Sequence, residues 1–133
     1  MSTLKQVMTS RLKSIGIDQS IAQAAASMRD ARIGSLLVEK DGQYVGIITE
    51  TDIVRKAVAD RKDLDTMTVE SIMSSQMVTI ESNRSVRDAH DMMGDLGIRH
   101  LVVTEAGKIV GLVSARDLLV YFKSVSEPKI GQD

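Results

Sequence analysis

Apolar positions along this chain follow two alternating periods, and the same succession of periods occurs twice. A short run over residues 12–15 predicts a strand. Ser20 then opens a helix: Ser20-x-x-Gln23 has the spacing of a capping box. Ile21, Ala24, Ala25 and Met28 follow at i, i+3, i+4 and i+7. Two apolar runs, residues 35–38 and 44–48, flank the turn pair Asp41-Gly42 and predict a hairpin. Their lack of alternation predicts strands covered on both faces. A second helix is predicted over 50–59, with Ile53, Val54, Ala57 and Val58 as its apolar stripe. The later half repeats this order with strands at 77–80, 101–103 and 109–113 and helices at 85–96 and 115–123.

The repetition is literal. Shifted by 65 positions, residues 4–57 fall on 69–122 without a gap, with 14 identities in 54 positions. Met8 meets Met73, Ser20 meets Ser85, Met28 meets Met93, Gly46 meets Gly111 and Asp52 meets Asp117. Other apolar positions exchange conservatively, as in Ile21/Val86 and Ile48/Val113. The order β-α-β-β-α therefore occurs twice, a mixed α/β chain of the α+β kind. Repeat one is assigned to 1–60, a linker to 61–68, repeat two to 69–123 and a polar tail to 124–133. The charged run DRKDLD, residues 60–65, reads as a solvated linker, and the tail, which holds the only proline, Pro128, reads as a fraying end. A unit of about 65 residues buries little surface alone, so two such units are expected to pack sheet to sheet about a pseudo-two-fold axis.

Composition narrows the chemistry. The chain has 133 residues, 43% hydrophobic and 26% charged, which is ordinary for a globular protein. Seventeen Lys and Arg against eighteen Asp and Glu leave a net charge of −1, without the bulk positive field of a general nucleic-acid binder. There is no cysteine, which removes disulfides and thiolate chemistry. Only His90 and His100 could supply imidazole, too few for a zinc site built mainly of His and Cys. Tyr44, Tyr121 and Phe122 are too few for base-stacking platforms. No apolar run is long enough for a membrane span, and the N-terminus lacks the apolar core of a signal peptide, so a cytoplasmic location is the default expectation. His90 falls at the stripe position of Ala25, which suits a core edge or a dimer contact. Met28, Met92 and Met93 read as packing.

One segment in each repeat could carry chemistry: Gly46-Ile47-Ile48-Thr49-Glu50-Thr51-Asp52 and Gly111-Leu112-Val113-Ser114-Ala115-Arg116-Asp117. Each lies at a strand-to-helix junction. Thr49 and Ser114 are natural N-caps, and the acid three residues on completes a capping box. The same pattern also suits a ligand. A helix N-terminus offers free N–H groups and a positive dipole to phosphate. A carboxylate beside it can accept from a ribose hydroxyl, and a glycine lets backbone approach a ligand. Both readings stand, because a cap can be recruited.

Two ungapped β-α-β-β-α repeats, each starting Val7-Met8-Thr9 or Ile72-Met73-Ser74 and ending in the Gly-to-Asp segment, resemble a stand-alone tandem pair of cystathionine-β-synthase-type (CBS) domains over residues 4–123. The resemblance implies a pair whose sheets pack together and leave two clefts for an adenine nucleotide such as AMP, ADP or ATP, or another adenosyl ligand. It assigns Asp52 and Asp117 to the ribose diol, Thr49 and Ser114 to phosphate or ribose, and Ile47 and Leu112 to the flanks of adenine. The position after Ile33 and Ile98 carries a basic phosphate contact in the family. Here it is Gly34 in one repeat and Arg99 in the other. The position before the motif acid is Thr51 or Arg116, with Arg116 serving the Asp52 cleft and Arg99 the Asp117 cleft. Lys13-Ser14 and Val78-Thr79 are expected to offer main-chain partners to adenine. His100, beside Arg99, suits a phosphate contact or plain surface equally.

The resemblance further implies a regulatory module with no catalytic cofactor, acting on a separate, unknown protein or through a homodimer. The helix stripes Ile21/Ala24/Met28 and Ile53/Ala57 are expected to exceed what one small core needs and so to serve that dimer. An interaction module with vestigial clefts is the alternative. A nucleotide hydrolase or transferase lacks any Ser-His-Asp arrangement or phosphate-cradling glycine loop. RNA binding would rest on Arg99, His100 and Arg116 alone.

Overall fold

Each apolar run condenses into the element its period predicts, and two short elements precede the repeats' first strands. The computed structural model describes residues 2–125. In order they form α1 (Leu4–Val7), β1 (Ser14–Gly16), α2 (Ile21–Ala31), β2 (Ser35–Lys40), β3 (Gln43–Thr49) and α3 (Glu50–Asp52). The last continues as a π-helix over Ile53–Val58. A 3-10 turn (Val69–Ser71), β4 (Thr79–Glu81), α4 (Val86–Leu96), β5 (His100–Glu105), β6 (Lys108–Ser114) and α5 (Ala115–Val125) follow. The fold is mixed α+β, with two three-stranded sheets ordered β1-β2-β3 and β4-β5-β6. In each, the first strand runs parallel to the second, and the second and third form an antiparallel hairpin. The part of the predicted tail beyond residue 125 lies outside the described residues.

Local chemistry explains the elements. Ser20 accepts from the Gln23 N–H at 3.1 Å and Gln23 returns a contact to the Ser20 N–H at 2.8 Å, so the predicted box forms. Ser85 and Asp88 form its counterpart on α4. Both hairpins turn through two left-handed residues, Asp41-Gly42 and Ala106-Gly107, the geometry whose twist matches that of the paired strands. Ile15, Leu36, Val38 and Ile48 share a core with Ile21, Ala24, Met28, Ile53 and Ala57. Ile80, Leu101, Val103 and Val113 share another with Val86, Ala89, Met93 and Leu118. On the other face of the strands Leu37, Ile47 and Val102 are buried too, as expected for runs without alternation.

The described residues divide into two compact units: a first unit of residues 13–77, and a second made of residues 2–12 and 78–125. These units cut across the sequence repeats. The opening segment of each repeat belongs to the unit of the other, and hydrogen bonds show why. Thr9 and Leu112 exchange two main-chain bonds of 2.8 and 3.0 Å; Ser74 and Ile47 exchange two of 2.9 and 3.0 Å. Leu4 is buried in the core of the second unit, Val69 and Ile72 in that of the first.

Two expectations are corrected, and the charged run gains a role. At 60–65 it exposes Asp60, Arg61, Asp63 and Asp65 and is tied to α2. The Leu64 carbonyl accepts from Ala22 N–H at 2.9 Å and the Met67 carbonyl from Ile21 N–H at 3.0 Å. These satisfy two of the orphan donors that open α2. The stripe over 50–59 is narrower than predicted: Ile53 and Ala57 are buried, whereas Val54 and Val58 are 59% and 53% exposed. With i→i+5 bonding a turn takes more than four residues, so residues four apart stand nearly above one another and Val54/Val58 leave the core face. The residues expected to serve a dimer, Ile21, Ala24, Met28, Ile53 and Ala57, are all used by the unit's own core. Among the exposed large apolar residues are Val54, Val58, Leu119 and Val120 on the helices that close the two repeats.

Candidate functional site

The two Gly-to-Asp segments fold alike. β3 ends at Thr49, whose hydroxyl accepts from the Asp52 N–H at 3.2 Å, while Asp52 Oδ2 accepts from the Thr49 N–H at 3.0 Å. β6 ends at Ser114, with the same exchange to Asp117 at 3.1 and 2.8 Å. Both acids are thus reciprocal caps, as the capping reading requires. The residue after Ile33 or Ile98 joins this arrangement through its carbonyl. Gly34 O accepts from Glu50 N–H at 3.0 Å, and Arg99 O from Ala115 N–H at 2.8 Å. In the first unit the fold therefore gathers Gly34, Thr49 and Asp52 at one helix start. In the second it gathers Arg99, Ser114 and Asp117.

The glycines serve the chain itself. A Cβ on Gly46 would stand 2.7 Å from the Ser74 carbonyl oxygen and 3.0 Å from the Met73 sulfur. One on Gly111 would stand 2.9 Å from Met8 Cγ and 3.1 Å from the Thr9 carbonyl oxygen. The close approach that the pattern Gly-aliphatic-aliphatic signals is that of the Met8-Thr9 and Met73-Ser74 segments. This links the two halves of each sequence signature physically.

The two ends are not equal. Lys56 Nζ lies 2.9 Å from Asp52 Oδ1 and donates to the Ile72 carbonyl at 3.3 Å. The Asp52 carboxylate, 11% exposed, is engaged on both oxygens. At the matching position of the other repeat stands Tyr121, and among the described residues Asp117 has no ion pair. Arg99 and Arg116 are exposed and, among the described residues, form no ion pair. Lys56 escaped the sequence reading, although an acid and a lysine four apart on a helix are a legible pair.

The remaining residues fall as follows. Ile33 and Ile98 are half-buried against the two cores. Ile47 is buried and Leu112 half-buried, with the main chain of both committed to the Ser74 and Thr9 pairings. β1 and β4 are edge strands. Lys13 and Val78, however, give their carbonyls to Leu37 and Val102 at 3.1 and 3.0 Å. By strand alternation the groups directed away from the sheet are those of Ser14 and Thr79. The Ser14 hydroxyl donates to Glu39 at 3.1 Å. His100 begins β5, opposite Ser114. His90 is an exposed residue, 3.0 Å from Asp91, with its ring edge-on to Phe122 at 5.6 Å. Met28 and Met93 are buried packing residues. Among the described residues no group of three or more His, Asp or Glu is placed to hold a metal ion, and no helix is long and apolar enough to cross a membrane.

Comparison with known proteins agrees with this architecture. The CBS domain family matches residues 4–59 and again 69–124. The CBS domain-containing protein YhcV of Bacillus subtilis is 32% identical over 120 residues, covering 90% of this chain and 85% of its own. A protein with CBS domains from Burkholderia ambifaria superposes with a TM-score of 0.90 at 26% identity, over 98% of this chain and all of that one. The hexameric CBS-CP12 protein of bloom-forming cyanobacteria superposes with a TM-score of 0.83 at 29% identity, over 96% of this chain and 72% of its own. Two copies of one β-α-β-β-α unit, each closed by the other's opening segment and each ending in a capped Gly-to-Asp turn, place this chain in the CBS-domain family, as two CBS domains in tandem.

Proposed function

We propose that this CBS pair is a non-catalytic regulatory module that binds an adenine nucleotide and passes a conformational shift to a separate protein. The observation that carries the reading is the group Arg99, Ser114 and Asp117 around the start of α5. It combines an exposed cation suited to phosphate, the positive dipole end of a helix, and a carboxylate with one oxygen that accepts no bond among the described residues, the chemistry of a ribose-phosphate. Leu112, two residues before Ser114, provides an apolar flank for the base. Such a ligand acts by population shift, so its affinity for the two states must differ.

Self-association belongs to the same reading. Leu119 and Val120 on α5 are 72% and 62% exposed, and Val54, the repeat equivalent of Leu119, is exposed as well. An apolar strip on the same helix of both repeats supports a homodimer, and the cyanobacterial relative is hexameric. Light scattering that gives a particle above the 14.5 kDa of one chain supports it, and a monomer across the micromolar range removes it.

The test is calorimetry with AMP and adenosine. Arg99→Ala should weaken AMP by about 10- to 150-fold, the value of a charged hydrogen bond, and adenosine far less. Equal weakening of both ligands assigns Arg99 to shape. Absence of binding by the parent protein removes the nucleotide reading and favours an interaction module built on the exposed strip.

A further inference from the structure

The two repeats carry the same motif acid, but among the described residues one of them has an intramolecular cation and the other has none. Lys56 follows Asp52 by four residues inside the π-helical turn Ile53–Val58. Bonding from i to i+5 brings residues four apart nearly into line along the axis, so the Lys56 side chain is directed back over Asp52. Its ammonium reaches Asp52 Oδ1 at 2.9 Å and the Ile72 carbonyl at 3.3 Å. Two of its three donors are thereby used, and the carboxylate it meets is almost buried. The other oxygen of Asp52 already receives the Thr49 N–H. In the second repeat α5 is an ordinary α-helix, Tyr121 replaces Lys56, and among the described residues Asp117 receives the Ser114 N–H alone, on Oδ2.

We propose that Lys56 is a built-in occupant of the Asp52 end. An adenosyl ligand therefore loads at Asp117 first, and at Asp52 only when the Lys56 pair opens. This rests on the nucleotide reading above and assigns the two repeats unequal parts within it. A diol presented to Asp52 competes with an ammonium already held at hydrogen-bond distance. A diol presented to Asp117 meets an oxygen, Oδ1, with no donor among the described residues. The position after the half-buried isoleucine reinforces the order, since it is Arg99 near Asp117 and Gly34 near Asp52.

Isothermal titration of the full chain with AMP decides it, supported by a double-mutant cycle in the ligand-free protein. The cycle over Asp52→Asn and Lys56→Gln should read a coupling between the two residues, and additive losses would overturn the pair. With AMP, the parent protein should show one strong site per chain. Asp117→Asn should remove it and Asp52→Asn should leave it within about twofold. Lys56→Gln should then add or strengthen a second site by about tenfold or more, and Lys56→Met should do the same. Two equal sites unaffected by Lys56→Gln overturn this inference while leaving the nucleotide reading intact. Weaker AMP binding by Lys56→Gln overturns it as well, by making Lys56 a ligand contact. Failure of every variant to bind AMP overturns the nucleotide reading, and the loading order with it.

Discussion

Gly46 and Gly111 occupy the same position in their repeats, yet a methyl group would meet different neighbours at each. At Gly46 the nearest atom is the Ser74 carbonyl oxygen at 2.7 Å, part of a backbone fixed by its two bonds to Ile47. At Gly111 the nearest atoms belong to the flexible Met8 side chain, and the Thr9 carbonyl stands at 3.1 Å. Gly46→Ala should therefore cost about 1–3 kcal/mol, the usual range for overpacking, and Gly111→Ala distinctly less. Denaturant titration of both variants checks the order; equal losses would mean that the Ser74 backbone yields as readily as a methionine side chain. The sequence shows these glycines as a repeated feature. It does not show what fills the space they leave, because the occupant is a segment about 28 residues further along in one repeat and about 103 residues earlier in the other.

The hairpins and helices obey local rules with one informative lapse each. The first hairpin turns at Asp41-Gly42, a favourable pair for two successive left-handed residues, whereas the second turns at Ala106-Gly107 with Ala106 at φ 50°. A side chain without a local hydrogen-bonding group gains nothing in that region. Ala106→Asn should raise stability by up to about 1 kcal/mol, and a melting point at or below that of the parent would refute the turn argument. At the start of α4 the Arg84 guanidinium, followed by the Ser85 N–H, holds the Asp88 carboxyl below its ordinary 3.8. Hydrogen bonds from Ser82 and then Lys5 hold Glu105 below 4.5. A carboxyl depressed in the folded state adds stability that is complete above its unfolded value and is lost as pH falls through the folded one. The protein should therefore lose stability on acidification below about pH 4.5, and Asp88→Asn should flatten that limb. A denaturation midpoint with the same acid slope in parent and variant would show that the cap does not titrate with folding. The π-helical turn is the lapse among the helices. Ile53, Val54, Ala57 and Val58 satisfy the ordinary helical period on paper, and the core accepts only two of them.

At the level of the whole chain, each unit is completed by a segment from the opposite end of the repeat scheme. Lys5 on α1 pairs with Glu105 at 3.2 Å, while the repeat-equivalent positions hold the reversed charges Glu70 and Lys40. A fragment of residues 13–77 keeps Val69, Ile72 and the Ser74–Ile47 pairing, and a fragment of residues 1–60 lacks all three. The first should show cooperative thermal unfolding by circular dichroism where the second does not. Equal behaviour would mean that the opening segments add nothing to the cores. Much of this protein was determined by short-range sequence alone. The period of the apolar residues located six strands, three long α-helices and the short helix that continues in π form, the capping boxes located helix starts, and a 65-residue shift located both motif acids together with the family. These follow from interactions spanning a few residues, and so they are written consecutively in the chain. Tertiary structure alone decided which opening segment closes which sheet, since both carry the same Met-hydroxyl signature and only packing and pairing distinguish them. It also decided that the linker feeds its carbonyls to α2, that Val54 and Val58 turn outward, and that Lys56 is held by Asp52 and the Ile72 carbonyl. Each of these depends on where a distant backbone carbonyl, or the helical pitch that the core imposes, comes to rest.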